Sequence, residues 1–333
     1  MRGWCTAVLL TLTLATPAGA QRQVEDTTFV PKVARPAFTG RHPVVMLDEA
    51  HHNQFTMGGL YRAFATLLRE DGLRVVPGRQ PFTAALLETC QVLVVADAVP
   101  TTRVRDESAR TSAFRPAECD AVRDWVRQGG SLLLVADHAP FASAMDSLAR
   151  RFAVDMGKGH TMDTRRVDPE TGNYGCILFT RAHGRIGDHP ITRGRRADER
   201  VNRVVTFTGQ SLKGPPGSVD LLVLGPSSWD LPFSPDARRT ADPEALRKAD
   251  TSGVLATPGA VSAVDRAQAV AFAFGRGRVV VLGDGAMLGS QVVLGVEAQR
   301  QGKERLRLGL NRPDLDNQRF ALNVVRWLAH ALN

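Results

Sequence analysis

Three short runs in this chain contain no polar residue at all: Val44-Val45-Met46-Leu47, Val92-Leu93-Val94-Val95-Ala96 and Leu132-Leu133-Leu134-Val135-Ala136. A strand with one wet face alternates apolar and polar residues. A strand that is apolar throughout has to be covered on both faces, and that is the environment of a parallel strand sandwiched between helices. The segments between the runs carry the matching helical signals. Leu60, Phe64, Leu67 and Leu68 share one helical face that stops at Asp71-Gly72, and Val122, Trp125 and Val126 lie between Pro116 and the stop at Gly129-Gly130. Arg74-Val75-Val76 begins another short strand, Ala84 to Thr89 reads as a short helix, and Phe141 to Val154 is helical again. This alternation predicts an α/β fold, a doubly wound, mostly parallel sheet with helices on both faces.

The second half is less regular. Residues 155–200 are rich in Gly, Arg, Asp and His and read as an excursion over the strand ends, and residues 226–260, with several prolines and charges, read as a second insertion. Val204 to Phe207 and Leu221 to Leu224 look like further strands. Ala267 to Phe274 and Arg278 to Leu282 form a hairpin pattern around Gly275-Arg276-Gly277. Phe320, Val324, Trp327, Leu328 and Ala331 give a closing amphipathic helix.

The first twenty residues read as an export signal. Arg2 supplies the positive start, Ala7 to Ala15 an apolar stretch too short to span a bilayer, and Ala18-Gly19-Ala20 the small residues of a cleavage site. Residues 21–42 read as an extended leader and 43–333 as a single domain, with a periplasmic or secreted location expected after cleavage. No later segment is apolar for long enough to cross a membrane. The net charge of +8 is scattered along the chain and aromatics are sparse, so no groove with stacking surfaces for nucleic acid is indicated. Beyond the signal, Cys90, Cys119 and Cys176 are odd in number and show no C-x-x-C spacing, so no disulfide pair is selected.

In open α/β sheets ligands bind beyond the carboxyl ends of the strands, and four predicted strands end in acid. The first runs into Asp48-Glu49-Ala50-His51-His52-Asn53, the third into Asp97, the fourth into Asp137-His138, and the late strand Val279 to Leu282 into Gly283-Asp284-Gly285. Any one of these acids could cap the helix that follows it; together, with histidines beside them, they predict a site. Asp48, Asp137, His138 and Asp284 are the candidate catalytic residues, with His138 as a base oriented by an acid. Glu49, His51, Asn53 and His189, the last from Asp188-His189-Pro190, are candidate ligand contacts. Carboxylate plus imidazole also suits a divalent metal such as zinc or manganese, for which His52, Asp48, Asp137 and His138 are the candidate ligands, although no compact metal motif is present. There is no G-x-S-x-G elbow, phosphate-binding loop or dinucleotide fingerprint.

The strand-one ending Asp48 to Asn53, Gly129-Gly130-Ser131 leading into Leu134-Val135-Ala136-Asp137-His138, Asp188-His189-Pro190-Ile191-Thr192, and Gly277-Arg278 through Gly283-Asp284 occur in an order that resembles a branch of the class I glutamine amidotransferase-like superfamily. That branch includes exported domains of unknown function and parts of gliding-motility transporter auxiliary proteins. The resemblance spans roughly residues 43–330 and implies a flavodoxin-like sheet. It does not imply glutaminase chemistry: the turn that would hold the cysteine nucleophile is Asp137-His138-Ala139-Pro140. The expectation is therefore an exported hydrolase-like enzyme for a small polar or carbohydrate substrate, without a cysteine nucleophile. The alternative is a non-catalytic domain of the cell envelope that binds a glycan or a protein partner.

Overall fold

The computed structural model describes residues 22–104, 106–232, 258–295 and 302–333, together with Lys248 and Ala298. The export signal, residues 1–20, and most of the second insertion, 233–257 apart from Lys248, lie outside the described residues. After a first short strand, β1 (Arg22–Glu25), the chain alternates as its apolar runs predict: β2 (Val44–Asp48), α1 (Arg62–Glu70), β3 (Arg74–Gly78), α2 (Ala84–Leu87), β4 (Val92–Ala96), α3 (Pro116–Arg127), β5 (Ser131–Val135) and α4 (Phe141–Ala149). The excursion then carries β6 (Asp155–Met156), β7 (His160–Asp163), β8 (Leu178–Thr180), α5 (Pro190–Arg193), β9 (Arg203–Val205), β10 (Leu212–Lys213), β11 (Val219–Val223), β12 (Ser228–Leu231) and β13 (Val261–Ser262). It closes with β14 (Ala267–Phe274), β15 (Gly277–Leu282), β16 (Ser290–Leu294), β17 (Arg305–Gly309) and the helix α6 (Asn317–Leu328).

Among the described residues the main sheet has nine strands, in the order β3-β2-β4-β5-β15-β14-β10-β6, with β11 also paired to β14. The block β3-β2-β4-β5-β15 is parallel throughout. Its order, second-first-third-fourth-fifth, is that of a flavodoxin-like doubly wound sheet. The parallel strands bury both faces, and successive side chains part to opposite sides. Val45, Leu47, Val94, Leu133 and Val280 join Phe64 and Leu67 of α1 and Phe320 and Val324 of α6 in one core. Met46, Leu93, Leu132, Leu134 and Val281 join Val122 and Val126 of α3 and Met145 and Leu148 of α4 in the other.

The expected hairpin is β14-β15, antiparallel, with Phe274 opposite Gly277. Gly275 turns at φ +61, and a Cβ there would meet the Arg127 carbonyl at 2.5 Å, so the turn needs glycine both for its left-handed backbone and for its approach to α3. The second strand of this hairpin is also the fifth strand of the parallel block. The leader is more than a tether. β1 pairs antiparallel with β16 in a separate sheet, β1-β16-β17, and Phe38 is buried against the first core. No helix among the described residues is long and apolar enough to cross a membrane.

Candidate functional site

Because β2, β4, β5 and β15 are consecutive and parallel, the four acids that follow them come to one edge of the sheet. Asp48, Asp97, Asp137 and Asp284 are all buried. What each carboxylate touches separates their roles.

Asp48 is held by the loop that follows it. It accepts hydrogen bonds from the Ala50 N–H at 3.1 Å and the Asn53 amide at 3.0 Å, and it meets His51 Nδ1 at 2.9 Å. The other nitrogen of His51 reaches Glu118 in α3 at 3.0 Å, and the ring is wedged between Phe82 and Phe114. Burial works against a charge on His51, but its hydrogen bonds to Asp48 and Glu118 outweigh burial and raise its pKa. Asn53 spends its amide on Asp48 and the Ala96 carbonyl. Asp48, His51 and Asn53, expected to meet substrate, therefore form an internal clamp that ties the strand-one loop to β4 and α3. Glu49 likewise accepts from the Met57 N–H at 2.9 Å and from Arg79 at 3.3 Å.

The other three acids form a second cluster. The Asp137 N–H donates to Asp97 Oδ1 at 2.8 Å, and the Gly285 N–H lies 3.4 Å from Asp137 Oδ2. Asp284 accepts from the N–H groups of Phe207 and Met287, both at 2.7 Å, clamping the excursion against the short turn that follows β15. Burial, then the charge of Asp137, pushes the Asp97 and Asp284 carboxyls well above the usual carboxylate range. Burial raises Asp137 too, against the opposing effect of His138. Tyr61, fully buried beneath them, donates to the Gly285 carbonyl at 3.1 Å and stacks on Phe55. Asp97 Oδ2 has no hydrogen-bond partner. Only Asp137 of these three acids reaches the surface, at 8% exposure against 0% for Asp97 and Asp284.

At the mouth beside Asp137, the His138 N–H donates to the Asp137 carboxylate at 2.7 Å, and its ring Nδ1 meets the Ala139 carbonyl at 2.7 Å. The Ala139 N–H donates to the Gly159 carbonyl at 3.2 Å, which brings half-buried His160 across from His138. Burial, then the charge of His138, lowers the pKa of His160. Non-glycine residues with left-handed backbone gather here as well: His52 at φ +48, Asp97 at +46 and Thr208, next to the Phe207 that caps Asp284, at +68. A β-branched residue in that region is strained, and such strain collects at functional sites.

Two expectations are corrected. His189 is at the far end of the sheet, where its Nδ1 caps α5 and its ring packs on Trp327, the residue that also carries Arg278 from the start of β15. The metal set is not assembled: among the described residues no three His, Cys, Asp or Glu side chains are arranged to hold an ion. His52 faces solvent, Asp48 is spent on His51 and Asn53, and one His138 nitrogen is taken by a carbonyl. Tyr61 joins the site without having been singled out for it, and His160 comes to it from the irregular excursion. Asp97 carried the same signal as Asp137, an acid directly after a fully apolar run.

Asp97 supplies a test of this electrostatic picture. Its folded-state pKa is raised, so the protonated native state is favoured. The stability linked to it is complete below the unfolded value of about 3.9 and drains away as pH rises through the raised value. Asp97→Asn keeps an acceptor for the Asp137 N–H and tolerates φ +46. The variant should melt with the wild type near pH 4 and above it near pH 8, with a flatter profile between. Parallel profiles would mean that Asp97 does not carry the strain.

Compared with known proteins, the chain matches no family model and no curated protein. Among solved structures it is similar to the mmIFT52 N-terminal domain, at 13% identity over 86% of this chain and 97% of that one, with a TM-score of 0.53. It is also similar to the cytoplasmic protein STM3548 from Salmonella typhimurium (11% identity, 86% and 98% covered, TM-score 0.46) and to a ThuA-like protein from Bacteroides uniformis (13%, 90% and 94%, TM-score 0.40). At these identities the likeness is one of fold.

Proposed function

We propose that this chain is an exported, hydrolase-like enzyme that works on a small polar or carbohydrate substrate at the carboxyl edge of the sheet, without a cysteine nucleophile. One arrangement supports the reading. Asp97, Asp137 and Asp284 share a buried edge where they cannot all be ionised, and the only one of them that meets solvent stands beside two histidines. Carboxyls whose pKa values burial and mutual repulsion raise, standing next to an imidazole, are the equipment of general acid–base hydrolysis. In this reading the three carboxyls share a proton, which Asp137, the one open to solvent, delivers to the leaving group while His138 or His160 activates water. The three cysteines among the described residues suit no such role: all are buried, and burial pushes the Cys90 and Cys176 thiols up to about 12.

A second reading, a non-catalytic envelope domain that binds a glycan or a protein partner, is favoured by the way Asp48, Asp284, His51 and Asn53 are spent on the protein's own groups. One experiment separates the two. The chain is expressed with its leader, recovered from the periplasm with an intact mass beginning at Gln21, and offered chromogenic esters, glycosides and phosphate esters beside unmodified oligosaccharides. Turnover of one chromogenic class is the expected result. Saturable oligosaccharide binding with no turnover of any class would replace the enzyme by the binding domain, and full-length chain in the cytoplasm would remove the export claim.

A further inference from the structure

Away from the strand ends, a cavity of about 510 Å³ opens where β1, β17 and the first turn of α6 meet. Its volume falls among small-molecule sites, which run from about 300 to 1,000 Å³. Phe29 and Leu310 give it an apolar side, Arg307 and Arg319 a basic rim, and Asp26 and Asn311 a polar floor.

The rim is basic, and one of its two arginines is paired. Arg307 is exposed and has no carboxylate partner among the described residues, and Arg319 pairs with Asp316 while half its side chain stays open to solvent. α6 adds to the field. It has no acid in its first turn and no side-chain cap, because the Asp316 carboxylate turns away to accept the N–H groups of Asn202 and Arg203 at 2.7 and 3.0 Å. The open amino end of a helix of this length carries a partial positive charge.

The floor has the opposite character. Asp26 is ionised: burial opposes its charge, but hydrogen bonds from Thr28 and Asn311 overcome this and lower its pKa. Asn311, 4% exposed, donates its amide N–H to Asp26 at 3.0 Å and to the Gln291 carbonyl at 3.1 Å, and its Oδ1 has no hydrogen-bond partner. The charge this floor offers a ligand is therefore the Asp26 carboxylate.

Cations at the rim, acceptors at the floor and an apolar wall between them describe one ligand chemistry. We propose that this cavity binds a small carboxylic acid bearing a hydrogen-bond donor, hydroxyl or ammonium, on the carbon next to the carboxylate, and an apolar side chain. The carboxylate faces Arg307 and Arg319, the donor faces Asp26, and the side chain lies on Phe29 and Leu310. The site is independent of the carboxylate cluster.

Calorimetric titration with four probes tests it: L-leucine, L-2-hydroxy-4-methylpentanoate, 4-methylpentanoate, which lacks the donor, and leucinol, which lacks the carboxylate. Leucine, the hydroxy acid or both should saturate the protein, and each truncated probe should bind at least about tenfold more weakly, the cost of leaving built polar groups unpaired. Arg307→Ala, a change at an exposed side chain, should weaken the acids at least about tenfold with an unchanged melting temperature, and Asp137→Asn should leave their binding intact. The proposal falls if neither acid saturates the protein by about 50 mM, if 4-methylpentanoate binds as well as the acids that carry the donor, or if Arg307→Ala binds like the wild type.

Discussion

Asp137→Asn should cut turnover of whichever chromogenic class the protein accepts by about 10²- to 10⁴-fold, the usual worth of a positioned proton donor, while the melting temperature moves little. The two halves of this expectation have separate origins. Asn keeps an acceptor for the His138 N–H, and the contact it weakens, with the Gly285 N–H at 3.4 Å, is already long. What Asn cannot do is release a proton. Relief of repulsion among the carboxyls that share this edge should even favour the folded state at the pH where the cluster ionises. The rate and the stability should therefore move in opposite directions. The pH profile gives a second readout. In the wild type the alkaline limb belongs to the acid form of the carboxyl cluster, and in Asp97→Asn that limb should shift to lower pH, since one raised carboxyl no longer shares the edge. A variant Asp137→Asn that turns over substrate at the wild-type rate would end the assignment of Asp137 as the acid, whatever the fold does.

The parallel sheet was legible because its signal is local. Val92 to Ala96 and Leu132 to Ala136 must be dry on both faces, and only a central strand offers that. The same locality places Asp97, Asp137 and Asp284 at one edge of the sheet. The division of labour among the acids was not legible, because it depends on partners far away in sequence. Asp48 and Asp137 look alike as acids after apolar runs. Yet His51, the partner of Asp48, is fixed by Glu118 sixty-seven residues on, and Asp284 is held by the Phe207 N–H seventy-seven residues before it. The position of His160 opposite His138 was not legible, because β7 is four residues long and pairs with β12, whose register of Leu231 with His160 is set across the whole excursion. Short strands of this kind carry no periodicity of their own; their contacts define them. His189 failed for the opposite reason. Asp188-His189-Pro190 is a strong local helix start, and its chemistry is spent on capping α5.

Arg326→Met should cost about 3–5 kcal/mol of unfolding free energy, the usual result of stripping one partner from a buried ion pair. Arg326 sits on the apolar face of α6 at 2% exposure. Its guanidinium takes both oxygens of Asp71 at 2.6 and 2.8 Å, Glu199 at 3.0 Å and the Arg35 carbonyl at 3.3 Å. Asp71 is itself fully buried at the end of α1 and accepts the Ala37 N–H of the leader at 2.8 Å. One side chain thus joins α1, α6, the excursion and the leader, four parts of the chain that meet on the face of the sheet opposite α3 and α4. Methionine fills much of the same volume, so the loss measures the orphaned Asp71 carboxylate more than a cavity. This makes the double variant decisive. Adding Asp71→Asn to Arg326→Met removes the buried charge, so the pair should lose clearly less than the sum of the two single losses, with a coupling of roughly 1–3 kcal/mol. Urea unfolding followed by far-ultraviolet dichroism gives all four corners of the cycle. If Arg326→Met alone loses under about 1 kcal/mol, the pair behaves as a solvated surface contact, and α6 is held by its apolar face and by the buried amides of Asn317 and Asn323.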